Sequence, residues 1–269
     1  MTLIKQAIIL AAGQGRRLLP YTKDRPKCLL EVGGKTILEH QVEALLTQHV
    51  DRITVVTGYL GHKVRQVLGR RVHYIENPHY ITSSSMYSLW LARDMATAGC
   101  LILNSDVLFH VGILQALLAS PYPDAVAVDF AAVLAEEETK VRITGARVLA
   151  LGKALPEGDG ENVGMLKFSA TGSRCLFAKI EECLAQGHRR EMVPFAVNAL
   201  VPDYFVAALS VQGLPWLEID FPEDYQRARE VIYPAICDVR GTYVSPPNGL
   251  SVEPGRQETE RIQGAYPAS

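Results

Sequence analysis

Short apolar runs alternate with amphipathic segments through the first 130 residues, and nothing else in the chain narrows its fold as far. The run AIIL lies in a first strand spanning roughly Gln6–Ala12. ITVVT begins at Ile53, VHYIE at Val72, CLILN at Cys100 and DAVAVDF at Asp124. Runs this short and this apolar suit strands whose two faces are both covered. Helical segments separate them. Thr36 and Glu39 have capping-box spacing at the head of one that runs to about His49, with Leu38, Val42 and Leu45 on its apolar face. Others are expected near His62–Leu68, from Ser83 to Met95 and around Gly112–Ala119. The βαβα rhythm predicts an α/β protein, a parallel sheet with helices on both faces.

The rhythm breaks after Phe130. Val141–Thr144 and Arg147–Leu151 flank Gly145-Ala146 as a hairpin would. A strand at Met165, helices over about Ser173–Gln186 and Glu191–Val201, the strands VAALSV and LEID, and a last helix opened by Pro222 complete the pattern to Ile232. Residues 1–236 are read as one domain, with a first half to about 130 and a second over 131–236. From 237 to 269 proline, glycine and polar residues take over, which predicts a tail.

The net charge of −2 excludes a chain that coats nucleic acid, so any basic site is local. Five cysteines, an odd number without CxxC spacing, predict a reduced, cytoplasmic protein with neither a disulfide framework nor a zinc site. No apolar run is long enough to cross a membrane, and no secretory signal is expected at the start.

The loop Gly13–Lys27 follows the first strand, at the carboxyl edge where open parallel sheets bind ligands. Gly13 and Gly15 let the backbone turn N–H groups toward an anion, and Arg16 and Lys27 add full positive charge. It is not a Walker loop, and it lacks the third glycine of a dinucleotide fingerprint. The string LAAGQGRRLLPYTKDRPKCL resembles the signature of the nucleotidyltransferases that activate sugar-1-phosphates and related small phosphates. Their pattern is LAAGxGxR, then PxT, then PK, and every position is filled here. The resemblance covers about residues 5–232. It implies a Rossmann-like core with a mixed, mainly parallel sheet, nucleotide binding by Leu10, Ala11, Ala12, Gly13 and Gly15, and phosphate contacts from Arg16 and Lys27.

Nucleotidyl transfer needs Mg²⁺ on hard oxygen ligands. The family resemblance places the metal on Asp106, after CLILNS, and on Asp220 in WLEIDFPEDY. Each aspartate also has a plainer reading as the cap of the helix that follows.

ENPHYITSSSMYSLWLARD is similar to a stretch of the phosphocholine and 2-aminoethylphosphonate cytidylyltransferases that lies over the base, which brings Ser84 and Ser85 to the nucleotide. The plainer reading is a serine-capped helix with Met86, Leu89 and Met95 in the core. EEETKV, LGKALP and ENVGMLKFS look like the acceptor half of the same branch. There Lys153 matches a lysine that meets the acceptor phosphate, against the alternative of a solvated hairpin lysine. Asp129 and Glu161 join it as acceptor-binding candidates. A cationic acceptor head would also suit Asp203, Tyr204 or Trp216. The run Glu136-Glu137-Glu138 reads as a solvated loop face.

The expected activity is Mg²⁺-dependent transfer of CMP from CTP to a small phosphorylated or phosphonylated acceptor, with release of pyrophosphate. The expected partners are these two substrates, with a second copy of the chain left open and neither nucleic acid nor membrane expected. A sugar-1-phosphate or inositol phosphate acceptor, and a regulatory module that binds nucleotide without turnover, stand as alternatives.

Overall fold

β1 (Gln6–Ala11) is buried from Ala7 onward on both of its faces. The computed structural model describes residues 4–211 and 213–238, so the tail from 239 lies outside the described residues. After β1 come a small ribbon, β2 (Glu31–Val32) and β3 (Lys35–Thr36), then α1 (Ile37–Thr47), β4 (Arg52–Thr57), α2 (Gly61–Leu68), β5 (His73–Glu76) and α3 (Ser85–Leu91). β6 (Gly99–Asn104), β7 (Val107–Phe109), α4 (Val111–Ala119) and β8 (Ala125–Asp129) follow. The second half holds β9 (Lys140–Thr144), β10 (Arg147–Gly152), β11 (Gly160–Ser169), α5 (Ala170–Ala185), α6 (Val193–Leu200), β12 (Ala207–Ser210), β13 (Trp216–Glu218), α7 (Pro222–Arg227) and α8 (Tyr233–Asp238).

Nine strands form one sheet in the order β5-β4-β1-β6-β11-β8-β12-β10-β9. β4, β5 and β6 run parallel to β1, and β12 runs parallel to β8, whereas β11 is antiparallel to both β6 and β8. With β10 also reversed, seven of these nine strands point one way, so the α/β sheet is mixed and mainly parallel. The two halves of the chain interleave, because β11 from the second half separates β6 from β8 of the first.

Alternation along the strands divides the core. Ala7, Ile9, Ile53, Val55, Leu101 and Leu103 face one side and pack with Leu38, Val42 and Leu45 of α1 and with Ile113, Leu114 and Leu117 of α4. Ile8, Leu10, Val56, Cys100 and Ile102 face the other and pack with Met86 and Leu89 of α3, Leu176 and Ile180 of α5 and Val197 of α6. Each such fully buried aliphatic side chain contributes about 1.5–3 kcal/mol of transfer free energy. α1 carries its expected capping box: Glu39 N donates to Thr36 Oγ1 at 3.2 Å, and Thr36 N donates to Glu39 Oε2 at 3.0 Å. The hairpin β9–β10 turns at Gly145-Ala146, as its sequence predicts.

The structure differs from expectation at the end of α3. The helix stops at Leu91, and Ala92 N donates to Leu89 O at 3.0 Å, three residues back rather than four. That tighter turn rotates the following residues off the apolar face, so Met95 is 39% exposed instead of in the core. The last helix also continues past Ile232, through a wider turn over Ala228–Ile232 into α8. Ala228 and Ile232 pack with Leu18, Leu30, Val32, Leu108 and Ile219, which ties the C-terminal helix to the basic loop after β1.

Candidate active site

The carboxyl ends of β1 and β6 open into a cleft of about 520 Å³. Leu10, Ala11, Ala12, Gly13, Gly15, Arg16, Lys27, Ser84, Ser85, Asp106, Lys153 and Asp220 all line it, although they span more than 200 positions of sequence. Asp129 and Glu161 do not line it.

The loop is shaped by Gly15, whose φ of 60° lies in the left-handed region. Leu18 N and Thr22 Oγ1 both donate to Gly15 O, at 3.1 and 2.8 Å, closing a tight turn. A Cβ at position 15 would come within 2.9 Å of Lys27 Cβ, so glycine is needed for φ and for the approach of Lys27. A Cβ at Gly13 meets nothing within 4 Å, so packing within the chain does not demand glycine there.

The two loop arginines part company. Arg16 Nε donates to Gln14 Oε1 at 2.5 Å, out toward solvent. Arg17 Nη1 reaches Glu137 Oε2 at 2.9 Å and Asp220 Oδ2 at 3.5 Å, and its guanidinium lies 5.3 Å from the Phe221 ring centre. Arg17 is thus the loop arginine beside the carboxylates, and the residue-by-residue reading above passed over it. Its signal is the LAAGxGxR pattern itself, which, counted from Leu10, places its arginine at position 17.

The carboxylates are brought together by a two-stranded ribbon. β13 pairs antiparallel with β7, setting Glu218 opposite Val107, and Ile219 N donates to Asp106 O at 3.0 Å. Asp106 and Asp220 therefore leave adjacent strands at the same end. Glu218 and Asp220 are two apart in extended chain and share a face. One oxygen from each of Asp106, Glu218 and Asp220 lies within 4.8 Å of the others. Glu218 is the second residue that sequence reading missed, and this spacing of two is its signal.

Neither aspartate is a helix cap. His110 Nδ1 caps α4, accepting from Gly112 N at 3.1 Å. Asp224 takes that part for α7, accepting from the N–H groups of Asp220 and Phe221 at 3.0 and 2.8 Å. Lys27 Nζ sits 2.7 Å from Asp106 Oδ2 and 2.5 Å from Asp220 Oδ1. Burial alone would lower the Lys27 pKa, but Asp106 and Asp220 outweigh it and raise it above the ordinary lysine value. Burial likewise pulls Asp220 upward, and Lys27 overcomes it to hold the carboxyl below its usual range. Glu218 is pushed up to about 8, by burial first and then by Asp106 and Asp220. Asp106 Oδ1 is buried without a hydrogen-bond partner. Three clustered hard oxygens, one of them unpartnered, fit a divalent cation such as Mg²⁺.

At one end of the cleft, buried Asn77 ties the segment after β5 together. Its Nδ2 donates to Ser83 Oγ at 3.1 Å and Ser88 Oγ at 3.0 Å. The side chain of Ser84 does not cap α3. Its own N–H donates to Arg189 O at 3.1 Å, and Ser85 Oγ accepts from Val193 N at 3.2 Å. These serines join α3 to the start of α6 instead of serving as the expected side-chain caps.

At the other end Lys153 follows β10, its Nζ 3.5 Å from Glu137 Oε2. Glu137 thus bridges Lys153 and Arg17, whereas the sequence reads its acidic run as purely solvated. Asp129 Oδ2 accepts from Trp216 Nε1 at 2.9 Å, and its register partner on β11 is Glu161. Burial, then Glu138 and Asp129, push Glu161 up to about 7. Asp129, Glu161 and Trp216 therefore gather, whereas Tyr204 turns away to donate to Asp124 Oδ2 at 2.8 Å.

Residues 7–196 match the MobA-like NTP transferase domain family. The chain is 30% identical to the CTP:phosphoglutamine cytidylyltransferase of Campylobacter jejuni over 82% of its own length and 97% of that protein. It is 39% identical to the 2-aminoethylphosphonate cytidylyltransferase of Lancefieldella rimae over 35% of this chain and 39% of that one. The solved inositol-1-phosphate CTP transferase from T. maritima superposes with a TM-score of 0.73 at 21% identity, covering 89% of this chain and 99% of the other. No helix among the described residues is long and apolar enough to cross a membrane.

Proposed function

Because the chain belongs to the MobA-like NTP transferase domain family and is a nucleotidyltransferase of cytidylyltransferase type, we propose that it transfers CMP from CTP to a small phosphorylated or phosphonylated acceptor with an amino-bearing head. The observation that carries this reading is the convergence of the glycine loop, Lys27 and three carboxylates in one cleft at the carboxyl edge of β1 and β6.

The triphosphate lies along Gly13–Gly15, where no side chain of the protein would need the space beside Gly13. The base extends toward Ser84 and Ser85. Lys27 and Arg17 hold the phosphates, and Lys153 orients the acceptor from the opposite wall. An acceptor oxygen attacks the α-phosphorus in line. The new P–O bond forms as the α,β-bridging bond breaks, and its electron pair leaves with pyrophosphate. A phosphate oxygen is already nucleophilic near neutral pH, so no covalent enzyme intermediate is needed. Mg²⁺ on Asp106, Glu218 and Asp220 would neutralise charge on the triphosphate and on the departing pyrophosphate. Asp129, Glu161 and Trp216 supply negative charge and an aromatic edge suited to an amino or quaternary head farther along the second half. Residues 1–236 act as one domain in this reading.

Pyrophosphate release with Mg²⁺ tests it. CTP, UTP, ATP, GTP and dTTP are crossed with phosphocholine, 2-aminoethylphosphonate, inositol-1-phosphate and glucose-1-phosphate. Release with CTP and an amino-type acceptor is expected. Release only with inositol or glucose phosphate would keep the chemistry and overturn the acceptor.

Arg17 and Arg16 give a sharper check on the phosphate contacts. Arg17→Ala is expected to lower kcat/KM by about a hundredfold, at the low end for loss of one charged transition-state contact. Arg16→Ala, which breaks an exposed hydrogen bond to Gln14, is expected to change it less than about threefold. Steady-state kinetics in which the two effects exchange places would return the phosphate role to Arg16.

A further inference from the structure

The cations and anions of the cleft are matched to one another. Lys27 Nζ lies within 2.7 Å of an oxygen on both Asp106 and Asp220, and these are two of the three carboxylates gathered there. Lys27 is 15% exposed, and Asp106 and Asp220 are 17% and 26% exposed, so the contacts are little screened by solvent. A metal ion on those carboxylates needs the same oxygen lone pairs that Lys27 uses. Two cations cannot share them at such distances without strong repulsion.

We propose that Lys27 and the divalent cation compete for the Asp106 and Asp220 oxygens, and that the triphosphate resolves the competition by drawing the Lys27 ammonium onto its phosphates. This rests on the metal and triphosphate assignments made above. The consequence is a coupling between ligands. The metal enters with the nucleotide rather than ahead of it, because neither exchange of partners is favourable alone. By linkage, each ligand strengthens the other by the same factor. The geometry allows the movement, since Lys27 stands on a short turn, Lys27–Leu29, and its stem packs against the loop at Gly15. The ammonium can therefore swing from the carboxylates to the loop without any shift of β7 or β13. Arg17 and Lys153 repeat the pattern on the far wall, both held by Glu137 where phosphates would compete for them.

The test is Mn²⁺ binding without nucleotide, followed by loss of the free-ion electron paramagnetic resonance signal. The proteins compared are the wild type, Lys27→Met, Lys27→Gln and Asp106→Asn, each checked by circular dichroism. Removing the internal cation leaves clustered carboxylates whose mutual repulsion a divalent ion relieves. Both Lys27 variants are expected to bind Mn²⁺ at least about tenfold more tightly than wild type, within the usual range of coupling between sites. Asp106→Asn is expected to bind it more weakly. Lys27→Gln keeps a polar group between the aspartates and serves if the methionine variant does not fold. Unchanged or weaker Mn²⁺ binding in the Lys27 variants, with Asp106→Asn still impaired, overturns the competition and leaves the metal site standing. Binding indifferent to Asp106→Asn overturns both.

Discussion

Lys27→Ala is expected to lower kcat by about 10²–10³-fold, the usual loss when one preorganised charge facing a developing anion is removed. The expectation rests on position. Lys27 stands where the glycine loop faces the carboxylates, and it is the cation placed to follow charge from the α-phosphorus onto departing pyrophosphate. The fold is expected to survive. The Lys27 ammonium touches no apolar cluster, and the carboxylates it leaves behind are partly exposed and free to take up a proton or a metal ion. Pyrophosphate release with CTP and a responsive acceptor measures the first effect, and a thermal melt with Mg²⁺ measures the second. Turnover within a few-fold of wild type would remove Lys27 from the reaction. A collapse of turnover together with the melt would make it a structural ion-pair partner instead.

Features encoded by neighbours along the chain were legible from sequence. The apolar run before Gly13 announces a doubly covered strand, Thr36 and Glu39 announce the cap of α1, and Gly145-Ala146 announces the β9–β10 turn. The loop residues and the two aspartates also fall in one cleft, because a parallel strand delivers whatever follows it to the same edge. What stayed hidden depends on distant partners. No local pattern says that β11 inserts antiparallel between β6 and β8, since each of its residues would look the same in another place in the sheet. Glu218 acquires its meaning only from β7, which brings Asp106 alongside it. Asp129 looks free in the sequence, yet the Trp216 indole, 87 residues away, engages it. Ser84 and Ser85 look like side-chain caps until α6 arrives to take their hydrogen bonds.

Asp220→Asn separates the chemistry from the capping that its position suggests. The substitution keeps the shape of the side chain and removes its charge, leaving Asp106 and Glu218 as the remaining members of the cluster. A metal ion in such a site supplies several kcal/mol of transition-state stabilisation, and each 1.36 kcal/mol lost is tenfold in rate. A loss of about 10³-fold or more in kcat/KM is therefore expected, with a higher Mg²⁺ concentration needed for half-maximal rate. Stability is expected to change little, because the capping of α7 belongs to Asp224. The companion variant Asp224→Ala reverses the pattern. It removes the acceptor of two backbone N–H groups, which costs about 1 kcal/mol as other lost caps do and lowers the melting temperature by about 2–4 °C. It touches none of the clustered carboxylate oxygens, so turnover should fall far less than in Asp220→Asn. If Asp220→Asn instead destabilises the chain and keeps its rate at every Mg²⁺ concentration, Asp220 is a structural partner of Lys27 and Arg17. The metal would then have to rest on Asp106 and Glu218 alone, a pair too sparse to hold it against water without oxygens from the triphosphate itself.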